Sequence, residues 1–577
     1  MHIMTTKNSD PSMDFKNSAL APAIDVPPAK RPSSWGWVLL VLPIIVLVLL
    51  PLISIVIMSF TPSENIWPHL ISTILPRSIR DTFLLMSGVG ILSLIIGTGT
   101  AWLVTMYQFR GRTFFEWALL LPLAMPTYMM AYCAVDLLEY SGPIQTGIRS
   151  LFGFQDARDY WFPNIASMPG AILVLSLVLY PYVYLAARAS FIQQSVCVLE
   201  VARTLGRTPM GAFWSVGLPL ARPALIAGLV LALMECLNDY GAVAYFGIET
   251  LTASVYSTWQ ERSNLGGAAQ IATLMLLVII VLLYVERRAR SEQKYFQTTG
   301  YNRDLPVIHL TGWQETFAFI SCALPFILGF ALPFYILLSA SFRFIDFVWT
   351  TEFWRAAGYS VLLASLTAVI AVSVALIIAY GKRVTAHPIL KPIGSLAGTG
   401  YAIPGAILAI GILIPLAAFD NIVDDFMRSY FGISTGLLLS GSLFALLFAY
   451  LVRFLAISLG TIEAGFHKIS PNLDGAARTL GQNSIGGFRL VLLPIMRPSV
   501  AAAALLVFVD TMKELPATLL LRPFNFDSLA TLVFEFASRE EFEEAGLAGL
   551  TIVAFGLIPL LLLNRTVSTS RTEQSKD

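Results

Sequence analysis

Charged side chains are what this 577-residue chain has least of: Asp, Glu, Lys and Arg together make up 13%, against about a quarter in soluble domains. So few charges exclude an ordinary water-soluble surface. A net charge of +1 leaves no basic footprint for nucleic acid. Cysteine is also scarce. Cys133, Cys197, Cys236 and Cys322 stand apart, in or beside apolar stretches, which excludes a disulfide framework and a Cys-based metal site. Only five histidines occur. His2, His69, His309, His387 and His467 each lack a second histidine or a cysteine at metal-ligand spacing, and each reads as solvated rather than catalytic. No Gly-x4-Gly-Lys-Ser/Thr loop cradles phosphates and no His-Glu-x-x-His motif is present. The chain is not expected to be an enzyme or to hydrolyse ATP itself.

What is abundant is apolar: 56% of residues. A helix needs about 20 apolar residues to cross the hydrocarbon core. Twelve such spans are predicted, near 35–60, 82–107, 114–138, 168–188, 222–242 and 267–285, then near 316–341, 358–381, 388–417, 433–459, 498–521 and 545–564. The expected fold class is all-α, a polytopic membrane protein of two six-helix modules, 35–290 and 316–566. A linker, 291–315, joins them, and tails, 1–34 and 567–577, flank them. The first tail is polar and expected to be disordered. The first span is too long for a signal-peptide core and reads as retained.

Lys and Arg set the expected orientation. One set of connections holds Lys30-Arg31, Arg110 and Arg112, Arg188 with Arg203 and Arg207, Arg287-Arg288 with Arg290, Lys382-Arg383, and Arg453 to Arg497. The alternate set is richer in acids, such as Asp420, Asp424, Asp425 and Glu540 to Glu544. The positive-inside rule then places both termini in the cytoplasm of a cell-membrane protein.

The two halves repeat one pattern. Glu200-Val201-Ala202-Arg203-Thr204-Leu205-Gly206, nine residues, then Val216-Gly217-Leu218-Pro219 recurs 275 positions later. There it is Gly475-Ala476-Ala477-Arg478-Thr479-Leu480-Gly481, nine residues, then Val491-Leu492-Leu493-Pro494. Each copy falls between the fourth and fifth span of its half, as an internal duplication requires. Good helix formers lead to a Gly that takes positive φ cheaply. Pro209 suits the first turn of a second short helix. Leu218-Pro219 is expected to end that helix, because the residue before a proline is pushed out of helical geometry. A helix-turn-helix on the cytoplasmic surface is predicted. A plain Gly-turned loop would explain one copy, but not two in register.

The pattern Glu-Ala-Ala, three residues, Gly, nine residues, Ile-x-Leu-Pro resembles the cytoplasmic signature of permease subunits of ATP-binding-cassette (ABC) importers. Nearly the whole chain after residue 34 is similar to the fused two-module permeases of ferric-iron importers, of the binding-protein-dependent transport inner-membrane component family. The likeness includes Leu121-Pro122-Leu123-Ala124-Met125-Pro126-Thr127-Tyr128. It also includes Lys513-Glu514-Leu515-Pro516-Ala517-Thr518 and Leu521-Arg522-Pro523-Phe524-Asn525-Phe526-Asp527. Thiamine, polyamine and phosphonate permeases are relatives. The resemblance implies a type I importer permease with no cofactor of its own and ATP on a partner. The implied partners are two cytoplasmic ATPase subunits and a periplasmic or extracellular substrate-binding protein. It makes Glu200, Val201, Ala202 and Gly206 one ATPase-coupling segment and Gly475, Ala476, Ala477 and Gly481 the other. Gly475 stands where the family has Glu, and Asp474 one residue earlier is the substitute charge.

Ionisable residues inside a span are costly and mark a pathway or a partner. Glu235 matches Asp510, and Asp239 matches Glu514, at the same offset of 275. Each pair is spaced i to i+4, which on a continuous helix puts both carboxylates on one face. Two readings stay open, a polar translocation path or a hydrogen-bond network between helices. Lys513 is a candidate to neutralise nearby acid. Fe³⁺ is a hard cation suited to oxygen ligands, and Tyr240, Tyr245 and Tyr256 are nearby candidates, with no metal ligand set defined. Pro122, Pro126 and Pro404 are expected to bend the third span of each half, at a gate or merely a packing kink. An ion-coupled secondary transporter would also explain duplication and buried acids, but not the paired surface signatures. Nothing favours a membrane scaffold.

Overall fold

The computed structural model describes residues 35–60, 67–193, 208–291, 308–385, 400–467, 469–470, 472–541 and 543–558. The described residues are all-α apart from one two-residue parallel pairing, Tyr107–Gln108 with Ile308–His309. Among the described residues ten helices are long and apolar enough to cross a membrane: Trp35–Phe60, Trp67–Met106, Met168–Ile192, Met210–Asn238, Leu265–Arg288, Trp313–Arg343, Thr351–Val384, Gly405–Phe431, Leu443–His467 and Ser484–Met512. An eleventh is broken, Arg112–Ala124 with Thr127–Phe152, bent by 95°. The predicted twelfth span is helical over 543–558, and its remainder lies outside the described residues. Large side chains such as Leu39, Phe83, Ile95 and Val369 face outward, as lipid contact allows.

The third span of the first half bends by 95° at Met125-Pro126, as expected, with Pro126 starting the helix after the break. Met125 is extended, as a residue before proline prefers, and Pro126 is the N-cap of Thr127–Leu138. In the second half Pro404 is the N-cap of Gly405–Phe431.

An expectation is overturned at Leu218-Pro219, where the helix does not end. Leu218 is helical, and the chain runs on to Asn238. A π turn, Phe213–Gly217, precedes it, and the Leu218 N–H bonds the Phe213 carbonyl five residues back. In α geometry a proline ring strikes the carbonyl four residues earlier. The wider π turn lies over those residues and relieves the clash. The same device recurs. The π turns Leu70–Ile74, Ile327–Ala331 and Phe488–Leu492 are each followed at once by Leu-Pro, at Leu75-Pro76, Leu332-Pro333 and Leu493-Pro494.

The halves interlock through their first spans. Trp35–Phe60 packs on Gly405–Phe431 of the second half, and Trp313–Arg343 packs on the first half. The crossings are close. A Cβ on Gly411 would lie 2.4 Å from the Pro51 carbonyl oxygen, and one on Gly329 would lie 2.6 Å from that of Leu177. Both apolar cores therefore mix residues of the two halves. The linker end is held as well. Leu310 N–H donates to the Gln108 carbonyl at 3.0 Å, and Arg110 N–H to the Glu315 carboxylate at 3.0 Å.

Candidate functional site: a polar cavity between two broken helices

The fifth span of each half stops short and restarts as a short helix. Met210–Asn238 is followed by Gly241–Tyr245, and Ser484–Met512 by Pro516–Leu521. The breaks fall at repeat-equivalent residues. Asp239 and Glu514 are therefore not continuations of the faces bearing Glu235 and Asp510, as the i to i+4 spacing suggested. Each carboxylate instead turns back to cap the next helix. Asp239 accepts from Ala242 N–H at 2.9 Å and Val243 N–H at 3.4 Å. Glu514 accepts from Ala517 N–H at 3.1 Å and Thr518 N–H at 3.1 Å. A carboxylate at a helix N-terminus satisfies orphan donors and suits the helix dipole. Pro516 fixes the restart in the second half, where its missing N–H costs nothing.

All four acids nonetheless line one cavity of about 100 Å³, room for about three waters. Lys513, Arg453, Asn238, Tyr128, Tyr182 and Tyr401 complete its polar wall. The neutralisation is one-sided. Glu514 pairs with the buried Arg453 guanidinium at 3.3 Å, and Asp510 with Lys513 at 2.8 Å. Asp239 receives the Thr127 hydroxyl. Neither Asp239 nor Glu235 makes an ion pair among the described residues. The repeat shows one reason: Asn238 occupies the position of Lys513. Asn238 Oδ1 accepts from Gly405 N–H at 2.8 Å and from Arg453 at 3.3 Å, which ties the two halves together across the cavity. Four acids against two cations leave the lining two charges negative when all are ionised. Two buried polar atoms of the lining residues, the Tyr128 hydroxyl and Arg453 Nε, have no hydrogen-bond partner among the described residues. No group of three His, Cys, Asp or Glu able to hold a metal ion occurs among the described residues.

Sequence reasoning missed Arg453 by counting it with the cytoplasmic loops. It lies inside the Leu443–His467 helix with its side chain 7% exposed. An arginine within an apolar window, in a chain with unmatched intramembrane acids, was the available signal. Thr127 and Asn238 carried none. Of the tyrosines named from sequence, Tyr240 lines the cavity and stacks on Tyr256 at 4.2 Å between ring centroids, while Tyr245 packs on Tyr132 at 4.5 Å.

The second repeated segment is a helical hairpin. Asn472–Thr479 ends in a turn with Gly481 at φ +80°, and Asn483 then caps Ser484–Gly487 through a 2.7 Å bond to Gly486 N–H. Asp474 faces its own chain, paired with Arg383 at 2.8 Å. Arg383 also donates to the Phe466 carbonyl at 2.9 Å, and Tyr380 donates to the Ser484 carbonyl at 2.5 Å. Gly475 and Ala476 are exposed, Ala477 is buried, and Leu480 projects 81% exposed from the tip. Of the first segment, Glu200, Val201, Ala202 and Gly206 lie outside the described residues. Beyond them Thr208 caps Pro209–Ala212 through Gly211 N–H at 3.1 Å, at the position of Asn483 in the repeat.

Two interlocked helical modules, a pair of broken helices facing a polar cavity, and a surface hairpin beneath define a membrane permease. Residues 93–289 match the family model for the binding-protein-dependent transport system inner membrane component. The Fe(3+)-transport system permease protein FbpB 2 of Haemophilus influenzae is 27% identical over 496 residues, covering 84% of this chain and 89% of that protein. The molybdenum transport system permease ModB of Escherichia coli is 29% identical over 209 residues, 35% of this chain and 88% of that protein. The sulfate transport system permease CysT of Synechococcus elongatus is 26% identical over 258 residues, 44% of this chain and 90% of that protein. Over residues 93–289 the chain matches the binding-protein-dependent transport inner-membrane component family, and it is a multi-pass membrane transporter subunit. ModB corresponds to one of its modules, and FbpB 2 to both together.

Proposed function

We propose that the chain is the translocation subunit of an ATP-driven importer for ferric ion or a ferric complex. ATP is hydrolysed on two cytoplasmic ATPase subunits, and a substrate-binding protein delivers the cargo from the other side of the membrane. The chain itself binds no nucleotide or other cofactor and has both termini inside. The Asn472–Gly487 hairpin and its counterpart over 200–217 dock on the ATPases. The observation that carries the ferric reading is the excess of two carboxylates over cations in the central cavity, together with the name of the two-module relative. The molybdenum and sulfate relatives point to oxyanions. Here both cavity cations are occupied by their own acids, which leaves little field for an anion.

In this reading Asp239 and Glu235 are the pathway acids, and Glu514 with Arg453 holds the modules together. Asp239→Asn is expected to lower uptake per assembled complex about tenfold, the factor that 1.4 kcal/mol gives. Its melting temperature should stay close to wild type. Glu514→Gln should instead lower stability, with uptake falling in proportion to protein lost. Uptake per complex, measured beside thermal unfolding, decides. Unchanged uptake in Asp239→Asn would remove it from the pathway.

A further inference from the structure

The segment Leu521-Arg522-Pro523-Phe524-Asn525-Phe526-Asp527 joins the short helix Pro516–Leu521 to Leu529–Ser538 and has no part in the site described above. It is a firmly built loop. Arg522 N–H donates to the Thr518 carbonyl at 2.9 Å, and the Arg522 guanidinium pairs with Asp527. Phe526 N–H donates to the Pro523 carbonyl at 3.2 Å and closes a turn, while the Phe526 ring stacks on Tyr359 at 4.7 Å between centroids. Asn525 holds φ +60°, a left-handed conformation that costs a non-glycine residue energy and collects where function uses it. On this fixed frame Phe524 is 102% exposed. The turn itself does not force that exposure, as the repeat shows. At an offset of 278, Gly247 holds φ +67° in the place of Asn525, and Thr250 caps the next helix in the place of Ser528. The Thr82 and Ser360 hydroxyls match too, accepting from Leu251 and Leu529 N–H. The first-half counterpart of Phe524 is Phe246, which is tucked in at 5% exposed.

The loop stands over the central cavity. Pro516, at the start of the helix before it, lines that cavity. Phe534, on the helix after it, comes within 6.0 Å of Tyr240, which lines the cavity from the first half. The loop also stands clear of the hydrocarbon. Tyr359, against which Phe526 stacks, lies 24 residues from Arg383 on one helix, roughly 36 Å, and Asp474 pins Arg383 to the hairpin. A hydrocarbon core of about 30 Å ends short of that level, so lipid does not cover the ring. An aromatic ring presented in water on a rigid frame suits a protein interface, where such anchors carry most of the binding and rigidity lowers the cost of ordering. We propose that Phe524 is a docking knob for the substrate-binding protein and enters an apolar pocket on that protein at the mouth of the path. A knob in the second half without its equal at Phe246 fixes which way round the binding protein sits. The identity of this partner rests on the importer reading above.

The test uses the complete importer in lipid nanodiscs and the purified substrate-binding protein of the same system. Phe524→Ala is expected to weaken its binding roughly thirtyfold, a factor within the range of aromatic interface anchors. Phe524→Leu restores apolar volume and should recover most of the affinity. The exposed ring holds nothing in its own fold, so both variants should melt with wild type. A second measurement places the ring. Phe524→Cys carrying a bimane label should shift its emission to the blue when the binding protein is added to saturation, and nitroxide-labelled lipid should not quench it. Wild-type affinity in Phe524→Ala would overturn the proposal and leave the importer reading standing, as would a label quenched by lipid and indifferent to the binding protein. A binding protein that fails to engage the wild-type importer would overturn both. Affinity lost in Phe524→Ala supports the knob even where the binding protein carries molybdate, a result that would overturn the ferric reading alone.

Discussion

Arg453→Met is expected to destabilise the chain by about 3–5 kcal/mol, the cost of leaving one buried charge of a pair without its partner. The pair is deep: the side chains of Arg453 and Glu514 are 7% and 2% exposed. Glu514 would keep the Ala517 and Thr518 N–H groups and the Thr518 hydroxyl at 2.8 Å, but these do not cancel a full charge. Arg453 also bonds Asn238 of the first half, so its loss loosens the contact between modules. Adding Glu514→Gln should restore much of the stability, because the neutral amide no longer needs a cation. Thermal unfolding of the two single variants and the double measures this as a cycle. Equal melting of Arg453→Met and wild type would show that the pair holds nothing together. A double variant no better than Arg453→Met would assign the loss to packing.

The other large effect is expected at the hairpin. Gly481 has φ +80°, and a proline is locked near −65°. Gly481→Pro must therefore reshape the turn that joins Asn472–Thr479 to Ser484–Gly487. It would also disturb the Gln482 N–H bond to the Ala477 carbonyl at 3.0 Å. Spans and cavity lie elsewhere, so membrane insertion and melting should change little. Substrate-stimulated ATP hydrolysis by the assembled complex should fall roughly tenfold or more, the factor from losing 1.4 kcal/mol or more of coupling contact. Gly481→Ala, which carries only left-handed strain of roughly 1–2 kcal/mol, should fall between. Gly206→Pro, its repeat counterpart, should act in the same direction. The size should differ, because Glu200 stands in the first copy where Gly475 stands in the second. Undiminished stimulated hydrolysis in Gly481→Pro would remove the hairpin from the coupling role.

Much of the fold was legible because lipid forces a simple code. Apolar runs had to be spans, and a fixed 275-residue offset had to be a repeat. That offset alone also pairs Asp239 with Glu514, and both break a helix at the same place in their halves. What spacing could not reveal was where a helix stops. Asp239 and Glu514 read as further turns of one face because i to i+4 assumes continuity, whereas each carboxylate caps a new helix. Leu218-Pro219 read as a terminator because the rule for α geometry says nothing of a π turn ahead of the proline. Arg453 was hidden for a different reason. Charge counting assigned it to one face of the membrane, and its worth comes from Glu514, 61 positions along the chain. Long-range pairing of that kind leaves no local pattern.

The central claim is that the cavity between the broken helices passes a ferric cargo under ATP drive. It is tested by uptake into proteoliposomes holding the chain, its ATPase subunits and its binding protein, offered labelled ferric iron and labelled molybdate in parallel. The account predicts ATP-dependent accumulation of iron, lowered by Asp239→Asn, with no accumulation of molybdate. Accumulation of molybdate, with iron left outside and Asp239→Asn without effect, would contradict it.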